Sequence, residues 1–219
     1  MYFQKVIKGI NGLSESQARE MITQGIICNW WRNAKTISPA GRKAQLIEKN
    51  VDLHLNHYGD LLPPGHPYGH LGKTYGDVSP FISTTAGAIE RDEFAEENII
   101  HPPLMTALRF ATKNFTENGT IFYAYVMTLG KKAVELEQFS EEVRELNIYN
   151  NYLQFYHEGE IMAKIIIPSV QIEKAEVYLG PTADEDFKAD RIPMPYITIN
   201  NPEYLLPEKY SNIREVLSK

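Results

Sequence analysis

His157-Glu158-Gly159-Glu160-Ile161-Met162-Ala163-Lys164-Ile165-Ile166-Ile167-Pro168 is the stretch on which the fold reading turns. Two carboxylates at i and i+2 precede an almost unbroken apolar run, closed by Pro168. The run is short and β-branched (Ile165, Ile166, Ile167), the pattern of a buried strand. In an extended chain, residues i and i+2 share a face. Glu158 and Glu160 are therefore expected to share one cleft while Ile161 and Ala163 face the other way. Two like charges at the mouth of a buried strand are costly unless a cation or hydrogen-bond donors meet them. Taken alone, the segment equally fits an exposed loop entering a strand, with both glutamates solvated.

The rest of the chain bounds the answer. At 219 residues it fits one large domain or two small ones and has enough length to bury a core. Its 43% hydrophobic and 23% charged residues are ordinary for a globular protein. A net charge of −6 gives no global pull toward nucleic acid or anionic membrane. The single cysteine, Cys28, rules out an intrachain disulfide and fits a reducing compartment. The start, Met1 to Lys8, lacks a secretory signal pattern, and no apolar run approaches the ~18 residues of a membrane span. A cytoplasmic location is expected, or delivery into a target cell without a cleaved signal. The six histidines show no metal-ligand spacing with cysteine, and the nearest pairs, His54/His57 and His66/His70, fall outside any helical pattern. No metal is expected.

Moving outward from the anchor, residues 1–12 read as a short apolar segment broken at Gly9 and Asn11-Gly12. Ser14 with Gln17 three residues on is a capping box, opening a helix with Ala18, Met21 and Ile22 on one face. Trp30-Trp31 reads as core or interface material, with stacking on a base or nicotinamide as the alternative, and residues 39–49 as a basic helix. This first quarter, 1–50, is expected to be a mainly helical part without assignable chemistry. Residues 51–60 alternate apolar Val51, Leu53 and Leu55 with polar Asp52, His54 and Asn56, the pattern of a half-buried strand ending at Gly59. A Pro/Gly-punctuated loop follows over 61–72. Phe81-Ile82-Ser83-Thr84-Thr85 is a short strand with three consecutive hydroxyls. Residues 104–115 have helical spacing, and Thr120–Met127 is an aromatic-rich strand. Residues 131–150 are expected to form a loop or short helix over one side of the cleft. Ile172–Leu179 alternates as a further strand. Residues 181–219, rich in proline, read as an irregular tail with a short helix near 213–217.

The order of these parts, a polar-faced stretch ending in His57-Tyr58, a long loop, Phe81-Ile82-Ser83-Thr84-Thr85, a helix, an aromatic strand and then Glu158-x-Glu160, resembles the mono-ADP-ribosyltransferase toxins of the cholera/pertussis type. The resemblance covers about residues 50–180. It implies an α+β, ADP-ribosyltransferase-like fold of two packed small β-sheets with flanking helices, in a single domain over 1–219. The family reads arginine on its first strand, Ser-Thr-Ser/Thr on its second and (Gln/Glu)-x-Glu before its third. This chain has no arginine between Arg42 and Arg91. His57 or His54 occupies that part of the chain, as in diphtheria-type relatives. His57 is preferred for its place beside Tyr58, with His54 the rival.

The resemblance implies NAD as substrate and a macromolecular acceptor, protein or nucleic acid. Glu160 would stabilise the positive charge that builds on the ribose as nicotinamide leaves. Glu158 would orient or deprotonate the acceptor. Ser83 would hold Glu160, Thr84 and Thr85 would support the pocket floor, and His57 or His54 would hydrogen-bond the cofactor. Phe81 and Tyr123 are candidate stacking surfaces for nicotinamide. A toxin of a toxin–antitoxin or phage-defence pair, held by a neutralising antitoxin, is the expected setting. An NAD glycohydrolase of the same fold, or an inactive binding relative, is the alternative.

Overall fold

The computed structural model describes residues 2–34, 38–90, 99–128, 142–143 and 160–207. In chain order it contains β1 (Tyr2–Asn11), α1 (Glu15–Gln24), β2 (Ile26–Ile27), α2 (Asn29–Ala34), α3 (Pro39–Gln45), α4 (Glu48–Asn56), β3 (Phe81–Thr85), β4 (Ala88–Glu90) and β5 (Ile99–His101). There follow α5 (Pro103–Ala111), β6 (Gly119–Thr128), β7 (Glu142–Val143), β8 (Glu160–Lys164), β9 (Ile166–Ile167), β10 (Ile172–Tyr178), α6 (Gly180–Lys188) and β11 (Ile197–Asn200). The class is α+β. Among the described residues, no helix is long and apolar enough to cross a membrane.

One antiparallel sheet of seven strands, in the order β11-β10-β6-β1-β3-β8-β7, carries the fold, with two-stranded ribbons β2-β9 and β4-β5 beside it. This differs from the expectation of two small sheets. The junction explains how close that expectation came. β1 pairs with β6 along its whole length, from Tyr2↔Thr128 to Asn11↔Gly119, but meets β3 at the single pair Ile7↔Thr85. The large sheet is therefore two halves joined at one point.

Four further expectations are corrected. The opening segment is not broken at Gly9: Tyr2–Asn11 run on as β1, the strand at the middle of the sheet, while the helices expected in the first quarter stand after it as α1, α2 and α3. Residues 51–56 are not a strand but the end of α4. Val51, His54 and Leu55 lie at helical spacing, and Val51 and Leu55 pack on Phe81 and Met162. The strand-like alternation of Val51, Leu53 and Leu55 hid that face. The 161–167 run breaks at Ile165, a buried β-branched residue at φ 64°, a region such residues rarely occupy. Its N–H bonds Pro80 O at 2.9 Å and its carbonyl accepts from Cys28 N–H at 2.8 Å, so the chain passes from β3 to β2 there. The region after 181 is partly regular: α6 and β11 stand in it. The expected helix near 213–217 and nearly all of 131–150 lie outside the described residues.

The capping box at Ser14 is present, with Gln17 bonding back to the Ser14 backbone. It aims α1 so that Ala18 and Ile22 meet Val6, Phe122, Ile172 and Ala175 on one side of the sheet. On the other side, Ala107, Leu108 and Ala111 of α5 cover Ile121 and Tyr178. Gly9 permits this approach: a Cβ there would stand 2.3 Å from Ala107 O.

Candidate functional site

β3 and β8 pair in antiparallel register from Phe81↔Lys164 to Thr85↔Glu160. Ser83 and Thr85, at i and i+2, share the face on which Glu160 stands. Glu160 is the first residue of β8, with 19% of its side chain exposed. A carboxylate placed there keeps access to solvent while its backbone is fixed by a strand pair. α4 brings the third member. His54 is 4% exposed; its Nε2 lies 2.8 Å from Ser83 Oγ and 3.3 Å from Glu160 Oε1. Its Nδ1 lies 2.6 Å from Ser79 Oγ. The ring is packed edge-on by Tyr58 at 5.3 Å and by Phe81 at 5.6 Å. Both ring nitrogens are partnered, as a buried imidazole requires.

Of the two histidine candidates, the structure brings His54 to Ser83 and Glu160. The preferred His57 is exposed at the end of α4, and its Nδ1 pairs with Asp60 Oδ2 at 2.8 Å. The other candidates separate in the same way. Thr84 lies on the opposite face, where its hydroxyl donates to Ile161 O at 2.5 Å and ties β3 to β8. Thr85 is buried opposite Glu160, and its Oγ1 accepts from Gly87 N–H. Phe81 is 4% exposed and packs on Met162 beneath α4, with His54 against it at 5.6 Å, so its ring is buried rather than open to the cleft. Tyr123 is not part of the cluster. It lies on β6, in the cross-strand row Lys174–Tyr123–Ile7–Thr85–Glu160, three strand spacings or about 14 Å from Glu160. Lys174 Nζ covers its ring at 4.4 Å. Glu158 lies outside the described residues.

Several groups around the cluster carried no recognised signal in the sequence. Lys8 follows Ile7, where β1 and β3 part, and lies within electrostatic reach of Glu160 and of Arg32 on α2. Burial, the largest influence, pushes its ammonium below the ordinary lysine range; Glu160 pulls it up and Arg32 pushes it down further. Arg32 Nη2 donates to Ile27 O at 2.9 Å. Tyr58 is held above the ordinary phenol range by burial first, then by the negative charges of Asp77 and Glu160. Gly76 makes room for its ring, since a Cβ there would stand 2.5 Å from Tyr58 Cε1. Nearby Cys28 is buried, and its thiol is pushed up to about 11, chiefly by burial, so it is no nucleophile at neutral pH. Lys8 was the readable clue: a charge inside the apolar pattern Val6-Ile7-Lys8-Gly9-Ile10. Ser79 lies just ahead of the hydroxyl strand and has no pattern of its own.

The Pro/Gly stretch after α4 is built, not loose. Leu62 N–H bonds Lys73 O, Tyr75 N–H bonds Asp60 O, and Gly76 N–H bonds Tyr58 O. These bonds deliver Ser79 and β3 beneath α4. Among the described residues, no group of three or more His, Cys, Asp or Glu is placed to hold a metal ion.

No protein-family model matches the chain, and no curated protein sequence matches it. Among solved structures, one named EcPltA aligns with a TM-score of 0.42 and 12% identity, over 93% of this chain and 88% of that one. A likeness of that size carries no argument about fold family or activity.

Proposed function

We propose that this protein is a mono-ADP-ribosyltransferase with an ADP-ribosyltransferase-like fold, using NAD as substrate and a protein or nucleic acid as acceptor. The observation that carries the reading is the cluster itself: the Ser83 hydroxyl, the Glu160 carboxylate and the His54 imidazole share hydrogen bonds at one strand junction. Three residues separated by long stretches of chain converge on the motif that the resemblance singles out.

The donor set fits NAD. A partly exposed carboxylate and hydroxyl suit ribose hydroxyls, and Lys8, within electrostatic reach of both Glu160 and Arg32, suits a diphosphate. In the reaction the bond from the ribose anomeric carbon to nicotinamide breaks, and nicotinamide departs with the electron pair. The acceptor forms the new bond to that carbon and gives up a proton. Positive charge grows on the sugar in between. Glu160, fixed on β8, stabilises that charge on the sugar more than the ground state, in which the charge lies on the nicotinamide ring, and this difference is the requirement for catalysis. His54 holds Glu160 in place, and Ser83 holds His54. Lys8 supplies the cation on the first strand, where the resembled family has arginine. Glu158 is assigned the acceptor's proton on the motif resemblance alone, and so is the toxin setting with a neutralising partner.

The test is incubation of the purified protein with labelled NAD and a cell lysate, followed by protease or nuclease. Label on a macromolecule supports transfer, and its sensitivity names the acceptor class. NAD consumed with only free ADP-ribose formed makes the protein a glycohydrolase. No NAD consumption overturns the proposal.

A further inference from the structure

Ser79 spends every polar group it has on the site. Its N–H bonds Gly76 O at 3.3 Å, its carbonyl accepts from Trp30 N–H at 2.9 Å, and its Oγ accepts from Phe81 N–H at 3.1 Å. One proton is left, on the hydroxyl. Among the described residues, His54 Nδ1 at 2.6 Å is the hydrogen-bond acceptor in place for it. The other end of the ring makes the same choice. Nε2 faces a carboxylate oxygen, Glu160 Oε1. An ionised carboxylate only accepts, so a proton belongs on Nε2. The opposite tautomer would set the Nε2 lone pair against that oxygen and leave the Ser79 proton without its acceptor.

We infer that Ser79 is a positioning residue: its hydroxyl donates to His54 Nδ1 and so fixes the Nε2–H tautomer that donates to Glu160 and Ser83. Phe81 N–H locks the hydroxyl's direction from behind. The backbone bond from Trp30 ties this anchor to α2, and thus to the element that carries Arg32. The chain reads Trp30 and Phe81 to Ser79, Ser79 to His54, His54 to Glu160. Each step passes one hydrogen bond, and the last sets the carboxylate's angle. A histidine's tautomer is set by the bond its other nitrogen makes. The catalytic part of this inference rests on the proposed NAD chemistry; the tautomer does not.

The experiment is long-range proton–nitrogen NMR of the 15N-labelled full chain, with His54 assigned through a His54→Asn variant. Wild type is expected to show a bare, pyridine-type Nδ1 and a protonated, pyrrole-type Nε2. In Ser79→Ala the two nitrogens are expected to move toward a tautomer mixture, and Ser79→Thr is expected to restore the wild-type pattern. A protonated Nδ1 in wild type, or an unchanged pattern in Ser79→Ala, overturns the inference, and the wild-type measurement stands even where a variant folds poorly. In turnover, Ser79→Ala is expected to lower kcat for NAD consumption roughly ten- to a hundredfold with KM little changed, with Ser79→Thr recovering most of it. Equal kcat in Ser79→Ala and wild type overturns the positioning role. If wild type consumes no NAD, the proposed function fails while the tautomer still decides on Ser79.

Discussion

His54 Nε2 and Glu160 Oε1 approach to 3.3 Å across 106 residues of chain. One group sits on a helix and the other on the first residue of a strand, so their separation is set by two independent pieces of backbone. Ser83, on β3 beside β8, shares the same nitrogen at 2.8 Å. The geometry makes Glu160 a group whose charge and direction can be changed separately by substitution.

Glu160→Gln keeps the shape and removes the charge. NAD consumption is expected to fall by about a hundred- to a thousandfold, the range for losing one charge-stabilising group. The circular dichroism melt is expected to stay near wild type, because Glu160 is partly exposed. Retained turnover in a folded Glu160→Gln protein would remove Glu160 from the chemistry.

His54→Ala and His57→Ala form a matched pair. The first leaves a cavity under α4 and deprives Ser79 and Ser83 of a partner. It is expected to cost about 2–3 kcal/mol in urea unfolding and to abolish NAD turnover. The second removes an exposed ring whose partner is Asp60. Its cost is expected within about 0.5 kcal/mol, with turnover unchanged. The reverse pattern would restore His57 as the site histidine.

The motifs were legible because each is local: Ser83-Thr84-Thr85 is a run of hydroxyls along one strand, and Glu160 opens an apolar run. The helix at 51–56 was misread because Val51, Leu53 and Leu55 satisfy a period of two, while the deciding residue, His54, is polar and joins the buried face only once Ser79, Ser83 and Glu160 satisfy it. Lys8 was passed over for a different reason. Its neighbours in space come from β8 and α2, and nothing within ten residues of it announces them. Tyr123 and Phe81 looked alike as aromatic residues on strands. Only the sheet order, with β1 and β3 between β6 and β8, shows how far Tyr123 stands from Glu160.

Gly9 sits where α5 presses on β1. An added Cβ would meet Ala107 O at 2.3 Å, a backbone atom that cannot step aside. Gly9→Ala is expected to destabilise by about 3 kcal/mol through overpacking. Gly12 has φ +68° and open space around it, so Gly12→Ala is expected to cost about 1 kcal/mol from conformation alone. Chemical denaturation of the two variants ranks them, and equal losses would mean that α5 can shift.

Glu176 is a buried carboxylate of the sheet. Tyr178 Oη donates to its Oε2 at 2.7 Å, and Lys174 Nζ lies 2.5 Å from its Oε1. Burial pushes its pKa up, but the bonds from Lys174, Tyr178 and Tyr123 outweigh burial and hold it below the usual carboxylate range. A lowered folded pKa gives stability that is complete above the unfolded value near ~4.3 and is lost as pH falls through the folded value. Tyr178→Phe weakens that hold. It is expected to cost about 1–2 kcal/mol at neutral pH and to move acid unfolding to higher pH. Acid titrations followed by fluorescence check both; an unmoved acid transition would mean that Lys174 alone sustains the carboxylate.

Lys8 gives the opposite sign. Burial, against the pull of Glu160, leaves its folded pKa below the unfolded value. Between those two pH values the unfolded chain binds more protons, so wild-type stability rises with pH through that window. Below it, the full cost of a buried ammonium is present; near the ordinary lysine value of about 10.4 that cost is gone. Lys8→Met keeps the stem and drops the charge. It is expected to stabilise the protein by about 1 kcal/mol at neutral pH, with the gap to wild type closing as pH rises. NAD turnover is expected to fall in the same variant, at least roughly tenfold, if the ammonium meets the diphosphate. A residue that costs stability and supports turnover is one the site keeps for its chemistry. If Lys8→Met is instead less stable at neutral pH, the Glu160 attraction exceeds the burial cost and Lys8 is a strut of the cleft.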